Sequence, residues 1–238
     1  MRVLILGHKG MLGHMVCKYL STKDECELIT TELRWPSQEF MDFVLDFDGD
    51  FVVNCIGAIH QRTDEFSVNT ELPKWLESIN KDLKIIHPGT DCEIDDDDYG
   101  NSKREATDYL LREGKNTKII KTSIIGPELN TKASLLEWFL NVEEETINGY
   151  GGYYWNGNTT LQWSKICFEM MIDWDGFGKL IIPATECISK YELLQIMKDV
   201  YNKKININKN LDIKINKCQV GNIEVPMIKE QLKEIQNF

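Results

Sequence analysis

The chain opens with a short apolar run, Arg2-Val3-Leu4-Ile5-Leu6, that ends in three glycines spaced by two residues, Gly7-His8-Lys9-Gly10-Met11-Leu12-Gly13. No other stretch restricts the fold as much. An unbroken apolar run of this length reads as a strand buried on both faces, and the glycines read as a sharp turn into a helix from Leu12 to Leu20. In such a turn Gly7 permits the tight reversal, Gly10 lets a pyrophosphate approach the backbone, and Gly13 lets the helix pack closely on the strand. The free N–H groups and positive end of the helix then face an anion. The same pattern also arises as plain packing, so the turn alone leaves both readings open.

The sequence that follows alternates strand and helix patterns. Glu27 to Thr31 reads as a strand. Pro36 to Phe47 reads as an amphipathic helix with Phe40, Phe43, Val44 and Phe47 on one face and Pro36 in its first turn. Asp50 to Ala58 reads as a central strand, Ser67 to Ile79 as a helix, Leu83 to His87 as a strand, Tyr99 to Glu113 as a helix and Lys118 to Thr122 as a strand. Strict alternation implies an α/β fold with a doubly wound parallel sheet of Rossmann type, whose ligands sit at the carboxyl ends of the strands. Beyond Gly126-Pro127 the texture changes. Helices are expected at Leu135 to Leu140, Leu161 to Asp173 and Lys190 to Tyr201, a returning strand at Lys179 to Ile182, a Gly/Tyr/Trp loop at Asn148 to Gly157, and an Asn/Lys-rich tail to Phe238. The expected organisation is a dinucleotide-type domain from 1–126 and about 158–185, with a smaller substrate-binding lobe from about 127–157 and 186–238.

Composition narrows the partners. A net charge of −11 over 238 residues argues against nucleic acid, which needs a basic face. No apolar run approaches the ~18 residues of a membrane span. Seven cysteines without a CxxC pair, an odd number, suggest reduced thiols and a cytoplasmic protein.

The chemistry-bearing residues lie mid-chain. Tyr99 and Lys103 are one helical turn apart on one face. A phenol is a poor acid or base at neutral pH unless a nearby cation stabilises its phenolate, and Lys103 supplies one. Upstream, Leu83 to His87 leads into Pro88-Gly89-Thr90-Asp91-Cys92, which places the Thr90 hydroxyl at the carboxyl edge of the sheet.

Taken together, GHKGMLG, VVNCIGA, SVNTEL, HPGTDC, YGNSK and IIKTSIIG, in that order, resemble the extended short-chain dehydrogenase/reductase superfamily and its dTDP-4-dehydrorhamnose reductase-like group. LLEWFL, YYWNGNTTLQWSKI and ISKYELL resemble the later part of its sugar-nucleotide-binding members. The resemblance implies reduction of a nucleotide-linked 4-keto-6-deoxy sugar with Thr90, Tyr99 and Lys103 as the catalytic set and Tyr99 as proton donor. It also implies dinucleotide contacts from Gly7, Lys9, Gly10, Met11, Leu12, Gly13, Arg34, Cys55, Ile56, Gly57, Tyr99 and Lys103, and substrate contacts from Thr90, Asp91, Cys92, Trp155 and Asn156. Asn69 matches an asparagine that faces the site. Lys9 and Arg34 favour NADPH, because GHKGMLG resembles the GDP-fucose synthases, whose basic residue there meets a 2′-phosphate. Glu32, at the end of the second strand, keeps NADH as the alternative.

Several features leave alternatives open. Cys92 matches the cysteine base of the bifunctional epimerase/reductases, which also need an opposing acid, and Lys132 is a poorly matched stand-in. A non-catalytic dinucleotide-binding subunit, resembling the regulatory subunit of methionine adenosyltransferase, is the reading from another class. Only eight residues, Asp91 to Asp98, separate Thr90 from Tyr99, where the family carries a longer loop bordering substrate. Their run Asp95 to Asp98 lacks the alternating ligands and glycine of a calcium loop, so no metal is expected and a helix cap is. Lys121 stands where the family shows arginine. Trp155 and Asn156 form either a packed turn or a sugar contact, and Trp35 either covers adenine or caps a helix. Oligomeric state is not legible, and a homodimer stays open.

Overall fold

The computed structural model describes residues 1–79, 82–132 and 134–238. Its first half alternates strand and helix: β1 (Arg2–Leu6), α1 (Met11–Leu20), β2 (Glu27–Thr30), α2 (Gln38–Asp46), β3 (Phe51–Asn54), α3 (Val68–Ser78), β4 (Lys84–Gly89), α4 (Asp98–Glu113) and β5 (Thr117–Lys121). The second half is more broken: β6 (Ile124–Ile125), α5 (Leu135–Asn141), β7 (Thr146–Tyr150), β8 (Tyr153–Trp155), β9 (Asn158–Thr159), α6 (Thr160–Ile172), β10 (Leu180–Ile181), β11 (Ile188–Ser189), α7 (Lys190–Val200), β12 (Asn206–Asn210), β13 (Ile215–Asn216) and α8 (Ile228–Asn237).

The central sheet is parallel throughout, in the order β10-β5-β4-β3-β1-β2. Successive side chains of β1 explain its unbroken apolar sequence. Val3 and Ile5 join the core under α1 and α6, whereas Leu4 and Leu6 join the core under α2 and α3. Strand order reverses between β1 and β3, which opens a crevice at their carboxyl ends. The expected return of a strand near residue 180 is met by β10, which pairs with β5.

A separate apolar cluster binds α5, α7 and α8 through Leu136, Phe139, Leu193, Met197, Ile228 and Leu232. Three expectations change here. Residues 148–157, expected as a loop, contribute to β7 and β8; β7 pairs with β12, and β8 lies between β11 and β13. The tail carries α8, whose Gln231 amide accepts from Thr159 N at 2.9 Å and donates to Asn158 Oδ1 at 2.9 Å. Pro36 lies outside its helix, because Ser37 caps α2 by accepting from Phe40 N.

The thiol expectation is also corrected. Cys187 and Cys218 form a disulfide, while Cys17, Cys26, Cys55, Cys92 and Cys167 are free. Sequence spacing could not show this pairing. It arises because the segments on either side of β8 run so that both cysteines flank Asn156. Among the described residues, no helix is long and apolar enough to cross a membrane.

Candidate functional site

The glycine turn is built by close backbone contacts. Gly7 has φ +79°, a left-handed conformation, and a Cβ on it would lie 2.9 Å from the Cys55 carbonyl carbon. A Cβ on Gly13 would lie 2.2 Å from Gly7 O. Gly10 is different: its nearest neighbour would be Gly7 O at 3.4 Å, so the fold leaves room there. Gly10 caps α1 without a side-chain hydrogen bond, which turns the first-turn N–H groups of the helix toward the crevice.

That crevice has a volume of about 430 Å³. Gly10, Met11 and Leu12 line one side, Cys55, Ile56 and Gly57 its floor, and Thr90, Asp91, Cys92, Tyr99 and Lys103 the other side. Gly7 and Gly13 lie behind the turn as its steric foundation. Lys9 and Arg34 stand outside the crevice, both exposed, at the end where β2 finishes. Lys9 Nζ contacts both carboxylate oxygens of Glu32, at 2.7 and 2.8 Å, and His8 Nε2 is 3.4 Å from the same group. These contacts, led by the Lys9 hydrogen bond, hold the Glu32 carboxyl below its usual range. The two residues that argue for different cofactors are therefore paired with each other.

Trp155 and Asn156 do not reach the crevice. Trp155 is fully buried in the cluster of α5, α7 and α8. Asn156 exchanges two hydrogen bonds with the Gln219 backbone, at 2.8 and 2.9 Å. Here their aromatic and amide character serves packing, and neither lines the crevice. Trp35 stacks on Trp75 and Phe40, with ring centroids 5.1 and 6.0 Å away, which is the capping alternative. Lys132 is exposed and outside the crevice lining.

The short loop is a single 3-10 turn, Asp91–Ile94, that delivers Thr90 to Tyr99. Thr90 lies close enough to the Tyr99 hydroxyl to oppose the rise in its pKa, and its own Oγ1 accepts from Cys92 N at 3.2 Å and donates to Asp91 Oδ1 at 3.2 Å. The loop packs so tightly on α4 that a Cβ on Gly100 would lie 2.5 Å from Cys92 O. Asp97 caps α4 by accepting from Gly100 N at 2.6 Å, the role expected of the acidic run.

Electrostatics depart from expectation at Lys103. Its Nζ donates to Pro88 O at 2.7 Å, and burial brings its pKa down to about 8 against an opposing pull from Glu93. Burial, with Cys92 second, pushes the Tyr99 phenol well above its usual value, and the one contact that lowers it is Thr90. In this arrangement the Lys103 ammonium is engaged with Pro88 O, and Tyr99 stays protonated at neutral pH. Cys92 is pushed up to about 12, by burial first and Asp91 second, which keeps it a thiol and weakens a base role.

Several residues at the site had no signal in a single sequence. Glu93 is buried, and its Oε1 accepts from Thr90 N and Thr107 Oγ1, both at 3.0 Å. Its Oε2 meets Lys121 Nζ at 2.7 Å, which gives the lysine found in place of the family's arginine a single-point partner. His60 lies against Tyr99, ring centroids 5.3 Å apart, with Nε2 3.4 Å from Asp97 Oδ2. Arg62 reaches across the crevice mouth to Glu128 at 3.4 Å and Thr131 at 3.2 Å. Asn69 ties Ala58 to Ser102 on α4, accepting from Ala58 N at 2.8 Å and donating to Ser102 Oγ at 3.1 Å.

Comparison with protein-family models and with curated proteins finds no match. Solved structures do match along the whole chain. A dTDP-4-dehydrorhamnose reductase from Clostridium acetobutylicum is 18% identical, with 100% of this chain and 99% of that one covered and a TM-score of 0.78. The Bacillus anthracis dTDP-4-dehydrorhamnose reductase in complex with NADP is 14% identical (99% and 98% covered, TM-score 0.76). A dTDP-glucose 4,6-dehydratase from the same organism, in complex with NAD, is 13% identical (99% and 96% covered, TM-score 0.77). The chain thus has the fold shared by these reductases and by related extended short-chain dehydrogenase/reductase enzymes.

Proposed function

We propose that this chain is an NADPH-dependent reductase of a nucleotide-linked 4-keto-6-deoxy sugar. The observation that carries the reading is the Thr90–Tyr99 hydroxyl pair with Lys103 on the wall opposite the glycine turn. The fit to a dinucleotide rests on Gly10, where the fold itself leaves room for a side chain yet the residue is glycine. A pyrophosphate against the N-terminus of α1 explains that choice. When bound, the nicotinamide supplies a hydride to the ketone carbon. Tyr99 donates its proton to the ketone oxygen, with the Lys103 ammonium as the cation that stabilises its phenolate, and Thr90 directs a hydroxyl at the same oxygen. Lys103 holds a ribose hydroxyl with its ammonium. The thiol state of Cys92 favours reduction without epimerisation.

NADPH is preferred over NADH on Lys9 and Arg34, which flank the end of β2; a 2′-phosphate would draw Lys9 from Glu32. The nucleotide-sugar class is supported by full-length likeness to enzymes whose descriptions specify such substrates. The shortened loop favours the second reading, a dinucleotide-binding subunit without catalysis.

NADPH consumption with a panel of dTDP-, UDP- and GDP-linked 4-keto-6-deoxy sugars tests the proposal. Turnover with at least one is expected, and Tyr99→Phe should cut kcat by ~10²–10⁴ while leaving dinucleotide affinity unchanged. No consumption with any sugar would sink the reductase reading, and dinucleotide binding without turnover would leave the subunit reading in place.

A further inference from the structure

The substrate-side wall of the crevice is held from far along the chain. Asp95, which follows the 3-10 turn, forms an ion pair with Lys217, a lysine only 5% exposed. Lys217 is set by its backbone, donating from N to Tyr154 O at 3.0 Å just after β13. A second lysine approaches from α7. Lys190 is its first residue, and its ammonium lies 4.9 Å from the Trp155 ring centroid and 5.5 Å from that of Tyr153, within electrostatic reach of Asp91 and Cys92. Two cations from the smaller half of the molecule thus converge on the acidic loop that carries Thr90.

The segments bearing these lysines are β13 and the β11–α7 junction, which lie on opposite sides of β8. The Cys187–Cys218 disulfide joins them directly. Cys187 precedes Lys190 by three residues, and Cys218 follows Lys217. Little else anchors β13. It is two residues long, Ile215 and Asn216 are both exposed, and so are Leu211 and Val220 near its ends. It is tied to β8 by a two-residue ladder, with Ile215 N donating to Gly152 O at 2.9 Å, by the Lys217 backbone bond and by the two Asn156–Gln219 hydrogen bonds. A short edge strand with so little burial belongs to the low-stability end of a structure unless it is cross-linked. Cys187 is exposed and Cys218 half-buried, so a reductant can reach the bond.

We propose that Lys217 is a positioning residue that fixes the Thr90-bearing loop through Asp95, and that the Cys187–Cys218 disulfide keeps it there, so that the thiol state of this pair sets the substrate-side geometry. The role in turnover rests on the reductase reading; the role in loop order does not. In the switching step a dithiol gives two electrons and two protons to the S–S bond. That bond breaks into the Cys187 and Cys218 thiols, and the dithiol closes to its own disulfide.

The test compares oxidised full-length protein, the same protein treated with dithiothreitol, and Cys218→Ser, Lys217→Met and Lys217→Arg variants. Hydrogen exchange of amides 91–98 and alkylation of Cys92, both read by peptide mass, need no substrate. Exchange should quicken by about tenfold in reduced protein, Cys218→Ser and Lys217→Met, with Lys217→Arg close to the oxidised parent. Cys218→Ser should no longer respond to dithiothreitol. Where turnover is measurable, the same three proteins should show a raised KM for sugar and unchanged dinucleotide affinity. Equal exchange and alkylation in all five samples would overturn the proposal, and faster exchange with an unchanged KM would overturn its part in turnover. Absence of turnover in every sample would count against the reductase reading alone, because the exchange result stands without it.

Discussion

The two walls of the crevice are built in opposite ways. The wall of the glycine turn comes from one short stretch of chain, and its shape is decided by where backbone approaches backbone: Gly7 against Cys55 and Gly13 against Gly7. The wall of the short loop is decided by side chains from distant segments: Glu93 with Lys121, Arg62 with Glu128 across 66 positions, and Asp95 with Lys217 across 122. A backbone-built wall has no softer alternative, because an added methyl group meets atoms that cannot rotate away. A side-chain-built wall can be loosened piece by piece, which suits a surface that must match one substrate among many.

The largest effect should come from breaking the backbone-built wall. Gly13→Val puts a side chain where a Cβ alone is 2.2 Å from Gly7 O. A loss of more than about 3 kcal/mol of stability is expected, with dinucleotide binding abolished. Chemical denaturation and calorimetric titration check both. Retained binding would show that the turn can open.

Breaking the other wall at Glu93 should cost less. Glu93→Gln keeps an acceptor for Thr90 N but leaves Lys121 without its counter-charge. Because Lys121 is 19% exposed, the loss should be about 2 kcal/mol, below the usual range for fully buried pairs. Dinucleotide affinity should not change, and adding Lys121→Met should restore most of the stability. If the double variant is no better than the single one, the pair is not what anchors Thr90.

Lys9 sharpens the comparison, since in the proposed function it is the side chain that gives the glycine-turn wall its selectivity between cofactors. Its ion pair with Glu32 is exposed on both sides and contributes little to stability. Lys9→Ala should leave the melting temperature unchanged while weakening NADPH about tenfold relative to NADH. Equal loss for both cofactors would place the preference elsewhere.

The smallest effect should be a pH dependence at Lys103, on the wall opposite the glycine turn. Its folded pKa is depressed to about 8, so the ammonium proposed to hold a ribose hydroxyl is present below that value and lost above it. Dinucleotide affinity should therefore be constant at lower pH and decline as pH rises through about 8, by roughly 1 kcal/mol. Fluorescence titration across that range, with Lys103→Met as a pH-independent reference, measures it.

Legibility follows the same division. The alternation from β1 to β5 is readable because each element buries apolar residues at its own period, and the turn is readable as a strand-to-helix reversal because three glycines follow an unbroken apolar run, though not by itself as an anion site. Thr90, Tyr99 and Lys103 were found through a motif, and the structure brings them to one wall. The strands β7 and β8 were hidden by glycines and tyrosines that read as loop. The helix α8 was hidden in a polar tail, although Ile228, Leu232 and Ile235 carry a helical period. Trp155 and Asn156 could not be placed from sequence, because an aromatic and an amide look alike whether they meet a ligand or a core. Glu93, His60 and Arg62 carried no local signal, since each acts through a partner distant in sequence.

The sequence by itself determined the parallel sheet, the glycine turn and the presence of a Thr-Tyr-Lys set, because each depends on residues close together along the chain. Tertiary structure alone decided that Lys103 turns to Pro88, that Lys9 and Glu32 neutralise each other, and that Cys187 meets Cys218. Those outcomes depend on burial and on distances between segments far apart in sequence, and neither quantity exists until the chain has folded.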